Sequence, residues 1–285
     1  MPLFLELMRP RQWPKNLLLL AALLFSGRFT DLQDLLKALL GLASFLLLSS
    51  AVYAFNDAHD RDSDRKHPRK KSRPVASGRI SAAAARVFAA LLAAAGTGLA
   101  FTLGSAFGAC ALAYLAISAL YTLWLKHEVI LDVFNLAAGF VLRAAAGGYA
   151  ISVPISPWLL VCTTLLALFL GLSKRRAELE LLRGGASSHR ASLNEYSKEL
   201  LDQMIAIVSS ATVVAYSLYA FSAHGQWMML TVPFVLYGIF RFLYLSHQKG
   251  LAGQPELVLL TDRPMQICLL LWALCSAAIL GGVQK

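Results

Sequence analysis

The chain has 285 residues, 58% of them hydrophobic and 15% charged, with a mean hydropathy of +0.61. A water-soluble fold of this length has no use for so much apolar sequence, and apolar runs of roughly 18 to 25 residues recur from end to end, which is the transmembrane pattern. The net charge of +10 therefore belongs to loops beside anionic lipid and phosphate ligands, and does not point to nucleic acid.

The apolar runs place spans at 14–30, 36–56, 82–103, 106–125, 129–150, 157–175, 203–222, 227–246 and 263–281. They describe an all-α, polytopic membrane protein with nine transmembrane helices in a single domain, 1–285. No cleavable signal peptide is evident, because no small-residue site follows the first apolar run. With the N-terminus cytoplasmic, all but five of the 26 basic residues fall on the inner side or its edge; Arg28, Lys37, Arg143, Arg241 and Lys285 do not. That asymmetry satisfies the positive-inside rule and predicts an integral protein of a bacterial-type inner (cell) membrane. The four cysteines all lie within predicted spans, at spacings that suggest neither a metal site nor a disulfide framework.

The N-terminal stretch MRPRQWPKN (Met8 to Asn16) offers Trp13 as an interface anchor and Pro14 as a first-turn residue. Its cations Arg9, Arg11 and Lys15 either set topology or face an anionic headgroup. The second span runs into YAFNDAHDRDSDRKHPRKKSRPVASGRIS (Tyr53 to Ser81), the densest charge in the chain. If the helix continues past the membrane, Asp57, Asp60 and Asp64 sit at i, i+3 and i+7 on one face, with Asn56 stacked on Asp60. Like charges held so close suit a bound cation. Mg²⁺ takes hard oxygen ligands, usually a few carboxylates together with substrate phosphates. The cations that follow, among them Arg73, are placed for a ligand carrying both diphosphate and metal.

The fourth span ends in YTLWLKHEVILD, where Tyr121 and Lys126 lie near the inner face and Lys126 is placed to reach a phosphate. Arg143, well inside the fifth span, should face the bundle interior or a wet cavity. A pairing with Asp132, eleven residues away, is only loosely compatible with one helix. The sixth span exits at LSKRRAELELL, with Lys174, Arg175, Arg176 and Glu178 at a helix end. Charged constellations thus follow the second and sixth spans, at 56–64 and 174–180. Loops at about 57–81 and 174–202 are expected to cap a site on the cytoplasmic side.

Residues Asn56, Asp57, Asp60 and Asp64 match NDxxDxxxD, and with the nine-span plan the chain resembles the UbiA superfamily of intramembrane prenyltransferases. Most members carry a second motif, DxxxD, after the sixth helix. Here that position reads Lys174-Arg175-Arg176-Ala177-Glu178. In RPRQWPKN, NDAHDRDSDRKHPRKKSRPVASG, LKHEVILDVFNLAAGFVLRAAAGG and KRRAELELL the chain is most similar to one branch, the decaprenyl-phosphate phosphoribosyltransferases. The resemblance implies Mg²⁺-dependent transfer of 5-phosphoribose from phosphoribosyl pyrophosphate (PRPP) to a polyprenyl phosphate. It implies catalytic and metal-holding roles for Asp57, Asp60 and Asp64. It implies substrate contacts from Asn56, Lys15, Arg73, Tyr121, Lys126, Lys174, Arg175 and Glu178. Membrane lipids would surround the bundle; a homo-oligomer is left open. An aromatic prenyltransferase using a prenyl diphosphate, or a transporter, are the competing readings; the altered second motif speaks against the first, and carboxylates at one face instead of the midplane against the second.

Overall fold

A computed structural model describes residues 2–66, 70–183, 193, 195–249, 258 and 261–283. Among the described residues every regular element is helical. Short 3₁₀ turns aside, these are in chain order α1 (Leu3–Leu7), a 3₁₀ segment (Pro10–Leu20) running into α2 (Ala21–Phe25), α3 (Leu32–His59), α4 (Arg61–Lys66), α5 (Ala82–Thr102) and α6 (Ser105–Leu123). Then follow α7 (Leu131–Ala150), α8 (Pro157–Arg183), α9 (Lys198–His224), α10 (Val232–Lys249) and α11 (Arg263–Val283). Eight of the described helices are long and apolar enough to cross a membrane. They match eight of the nine expected spans to within a few residues, apart from extensions at α8, α9 and the start of α3.

The difference lies at 14–30. That stretch is a 3₁₀ helix of 11 residues and an α-helix of five, closed by a turn at Ser26–Gly27. Sustained 3₁₀ structure is unusual, and tertiary contacts account for it here. Asn16, inside the segment, is gripped by Ser49 and Arg143. Gly147 of α7 meets the segment where any Cβ would collide with the Leu19 carbonyl.

Helix starts are written in the sequence. Asp31 accepts from the Gln33 and Asp34 amides at 2.8 and 3.0 Å, Ser81 from Ala84 at 3.1 Å, and Ser197 from Leu200 at 3.0 Å. α3 packs along α5, and chain neighbours from α5 through α9 lie side by side, as expected for helices joined by short connections. α2 reaches α11 through Phe25 and Trp272, whose rings are 6.0 Å apart. The outer surface carries leucines and aromatics such as Leu91, Leu112, Ile207, Phe240 and Leu270, a surface suited to acyl chains. Within the helices Thr164, Thr212 and Ser217 return their hydroxyls to carbonyls four residues back, so these polar groups need no water.

Three helices, α3, α8 and α9, well exceed what a bilayer core requires. At 28, 27 and 27 residues, they are each about 40 Å long, against a core of about 30 Å. The last turn of α3 carries Asn56–Asp57, and Lys174–Glu178 lie within the last three turns of α8.

Arg143 does face the bundle interior, but its partners are not acidic. Its Nε donates to Asn16 Oδ1, Nη1 to the Gly139 carbonyl and Nη2 to the Tyr114 hydroxyl, each at 2.8 Å. Its guanidinium also lies over the Tyr114 ring, 4.6 Å from the centroid. Asp132, the loosely considered partner, is committed elsewhere. Because the Leu19 carbonyl and Gly147 cannot separate without unseating Asn16, Gly147→Leu should lower stability by about 3 kcal/mol or more. Thermal unfolding in detergent checks this, and a variant as stable as the parent would remove the close approach from the account.

Candidate active site

Two charged clusters meet at the end of α6. The first is built on the C-terminal turn of α3. Helix α3 stops at His59 and α4 starts at Arg61, with a bend at Asp60, so the helix does not run straight through the motif as the spacing implied. Helical hydrogen bonding survives the bend, since the Asp60 amide donates to Asn56 and the Asp64 amide to Asp60, both at 2.8 Å. The face is kept on one side, but its carboxylates divide between cations. Arg73 Nη1 lies 3.2 Å from Asp57 Oδ1 and 2.6 Å from Asp64 Oδ2. Arg9 also donates to Asp57 Oδ1. Asp60 is drawn off to Lys126, whose Nζ is 2.5 Å from Oδ1.

Each of these cations has a local reason to be there. Arg9 precedes Pro10, a position that cannot continue a helix, and its left-handed backbone (φ 53°, ψ 64°) turns the side chain toward Asp57 over the Tyr53 ring. Arg73 sits in the loop described from 70 to 80. That loop is clamped to α1 by Arg79, which holds both Glu6 oxygens at 2.8 and 2.9 Å and the Ser72 carbonyl at 2.7 Å. The clamp holds the Glu6 carboxyl below its ordinary range. Burial, reinforced by Arg9 beside it, pulls the Arg73 guanidinium below the usual arginine value, with Asp57 and Asp64 working the other way.

The second cluster surrounds Arg175, the largest fully buried side chain among the described residues. Its Nε donates to Asp132 Oδ2 at 2.6 Å, Nη1 to Glu178 Oε2 at 2.6 Å and Nη2 to the Tyr121 hydroxyl at 3.1 Å. The other Asp132 oxygen accepts from Tyr196 at 3.1 Å. Arg176, the next residue, turns away to Asp202 and to Glu180 at 3.0 Å. The two clusters join because Tyr121 and Thr122 are consecutive on α6. Tyr121 holds Arg175, Thr122 donates to Asn56 Oδ1, and Lys126 one turn on takes Asp60.

Of the expected site residues, Asn56, Asp57, Asp60, Asp64, Arg73 and Lys126 fall in the first cluster, and Tyr121, Arg175 and Glu178 in the second. Lys174 is half-buried on α8 beside them. Lys15 donates to Gln12 within its own segment. Of the capping loops, 67–69, 184–192 and 194 lie outside the described residues. Sequence reasoning left Arg9 open and missed Thr122 and Tyr196. The proline after Arg9 and the position of Thr122 beside Tyr121 were usable signals. Tyr196, in a polar stretch, had none.

Among the described residues no three acidic, imidazole or thiol groups converge as a ready metal ligand set. Asp57 and Asp64 nevertheless share one nitrogen, Arg73 Nη1, so their oxygens lie within reach of a single cation. Two hard carboxylates completed by phosphate oxygens is a set Mg²⁺ accepts, and the donor chemistry fits.

The chain belongs to the UbiA prenyltransferase family, whose model matches residues 17–254. It is 35% identical to the decaprenyl-phosphate phosphoribosyltransferase of Mycolicibacterium smegmatis, the match covering 94% of this chain and 89% of that one. It is 34% identical to the enzyme of the same name from Mycobacterium tuberculosis, over 96% and 93%. Among solved structures, a UbiA homolog from Archaeoglobus fulgidus bound to GPP and Mg²⁺ superimposes with a TM-score of 0.75 over 97% of this chain and 99% of that one. At 22% identity that likeness shows the fold.

If Arg73 marks the cation position, Arg73→Met should destabilise the protein by about 2 kcal/mol in metal-free buffer. Added Mg²⁺ should then raise the melting temperature of the variant more than that of the parent. An equal response in both would separate Arg73 from the metal position.

Proposed function

We propose that this protein transfers 5-phosphoribose from PRPP to a polyprenyl phosphate, releasing pyrophosphate. The observation that carries the reading is the junction at the end of α6. A carboxylate face able to share a cation adjoins a buried guanidinium. PRPP presents a diphosphate to the first and a separate 5-phosphate to cationic side chains. The full-length likeness to enzymes named for this transfer supports the same substrates.

In the reaction the anionic oxygen of the lipid phosphate attacks C1 of the ribose. The bond from C1 to the diphosphate oxygen breaks, and pyrophosphate leaves with the electron pair. The acceptor is already ionised, so no strong general base is required. Asp57 and Asp64, with Asp60 and Asn56 beside them, would hold Mg²⁺; when bound, it supplies neutralisation of the charge that grows on the departing diphosphate. Arg9, Arg73 and Lys126 are placed for phosphate oxygens once released from the carboxylates. Arg175, held by Asp132, Glu178 and Tyr121, keeps a fixed positive charge at the junction, with Lys174 and Lys15 as further phosphate contacts. The main contribution is positioning two anions that would otherwise repel one another.

The reading extends to topology. We take the whole chain as one domain in an inner membrane, with the N-terminus and this site cytoplasmic, a reading that the distribution of arginine and lysine supports. At about 2.0 Å per 3₁₀ residue and 1.5 Å per α residue, the 3₁₀ segment and α2 together reach about 30 Å. That is long enough to serve as a ninth crossing.

Pyrophosphate release by the purified protein should require PRPP, Mg²⁺ and a polyprenyl phosphate together, and should fall on the order of 100-fold or more in Asp57→Asn and Asp60→Asn, with both variants folded. Release without the lipid, or retained activity in both variants, would refute the assignment.

A further inference from the structure

The turn from α6 into α7 is strained. Ile130 has φ 69° and ψ −49°, a left-handed backbone that β-branched residues rarely adopt. Its neighbours close a three-residue turn, the Leu131 amide donating to the Val129 carbonyl at 2.7 Å. Such backbone persists only where the surroundings over-determine it. Here the surroundings include Tyr196, 66 residues further along the chain.

The Ile130 amide donates to the Tyr196 hydroxyl at 2.6 Å, and the same hydroxyl donates to Asp132 Oδ1 at 3.1 Å. The ring is buried in the core shared by Val133, Leu172 and Leu201. Burial pushes the phenol up to about 12, so at neutral pH the hydroxyl keeps its proton and serves as acceptor and donor at once. What it connects is the site. Before the turn lies Lys126, on Asp60; after it lies Asp132, whose other oxygen holds Arg175 Nε. One hydroxyl thus ties the Ile130 amide to the Asp132 carboxylate, across the turn that separates Lys126 from the partner of Arg175.

We propose that Tyr196 is a positioning residue for the donor's phosphates, holding Lys126 and Arg175 at the spacing that a diphosphate-bearing ligand spans. It acts through the Ile130 turn and Asp132 without touching the ligand. The proposal deepens the phosphoribosyl-transfer reading and rests on it for the identity of the donor, though not for the phosphate chemistry.

Tyr196→Phe keeps the ring and deletes the hydroxyl. The KM for PRPP should rise about tenfold, with kcat changed by no more than about twofold and the KM for the lipid unaltered. Inorganic pyrophosphate, titrated with Mg²⁺ as a probe that needs no turnover, should bind about tenfold more weakly. Asp132→Asn should move the same quantities, and the double variant should lose no more than Asp132→Asn alone, because both changes interrupt one path. Unchanged pyrophosphate affinity in Tyr196→Phe would overturn the proposal, as would losses that multiply in the double variant, or a fall in kcat and melting temperature with KM intact. If Tyr196→Phe does not accumulate in folded form, Asp132→Asn read by the same titration decides. If the parent fails to turn over PRPP, the donor assignment falls alone, and the pyrophosphate titration still judges Tyr196.

Discussion

Neutralising three clustered carboxylates is the constraint on which the rest of this structure depends. Asp57 and Asp64 are both nearly inaccessible to solvent, at 2% and 3% exposure, where an uncompensated charge is strongly destabilising. No single neighbouring segment supplies the compensation. Arg9 comes from before the first apolar stretch, Arg73 from the loop after α4 and Lys126 from beyond α6. Drawing these three to one point brings the N-terminal segment, the loop after α4 and the middle of the chain together. The same convergence sets three cations directly beside three carboxylates.

A second buried cation acts where the first set cannot reach. Arg143 carries no acidic partner in its hydrogen bonds and is held by a carbonyl, an amide and a phenol. Its bond to Asn16 binds the irregular N-terminal segment against α7, and that segment leads directly back to Arg9. Arg175 resembles Arg143 in burial but differs in partners: with Asp132 and Glu178 around it, it is the centre of an internal ion-pair network.

Much of this was legible in the amino-acid sequence because hydrophobic runs and charge asymmetry are coarse, additive signals. Eight helices fall where apolar length places them, and the acidic motif and the KRRAE stretch, 118 residues apart, do meet. The 3₁₀ segment was not legible, because it is imposed by Asn16 and by Gly147, which lies more than a hundred residues away. Nor was the bend at Asp60, which sends Asp60 to Lys126 while Asp57 and Asp64 share Arg73; periodicity alone places all three on one straight face. Tyr196 escaped for a related reason. Its function resides in a backbone conformation at Ile130 that no local preference of isoleucine predicts.

The most direct test of the central claim is the mass of the lipid after purified protein has been incubated with decaprenyl phosphate, PRPP and Mg²⁺. The account predicts a lipid heavier by one phosphoribosyl group, retaining its own phosphate and gaining the donor's 5-phosphate. An unchanged lipid, together with a prenylated aromatic product when the same preparation is given a prenyl diphosphate and an aromatic acceptor, would contradict it.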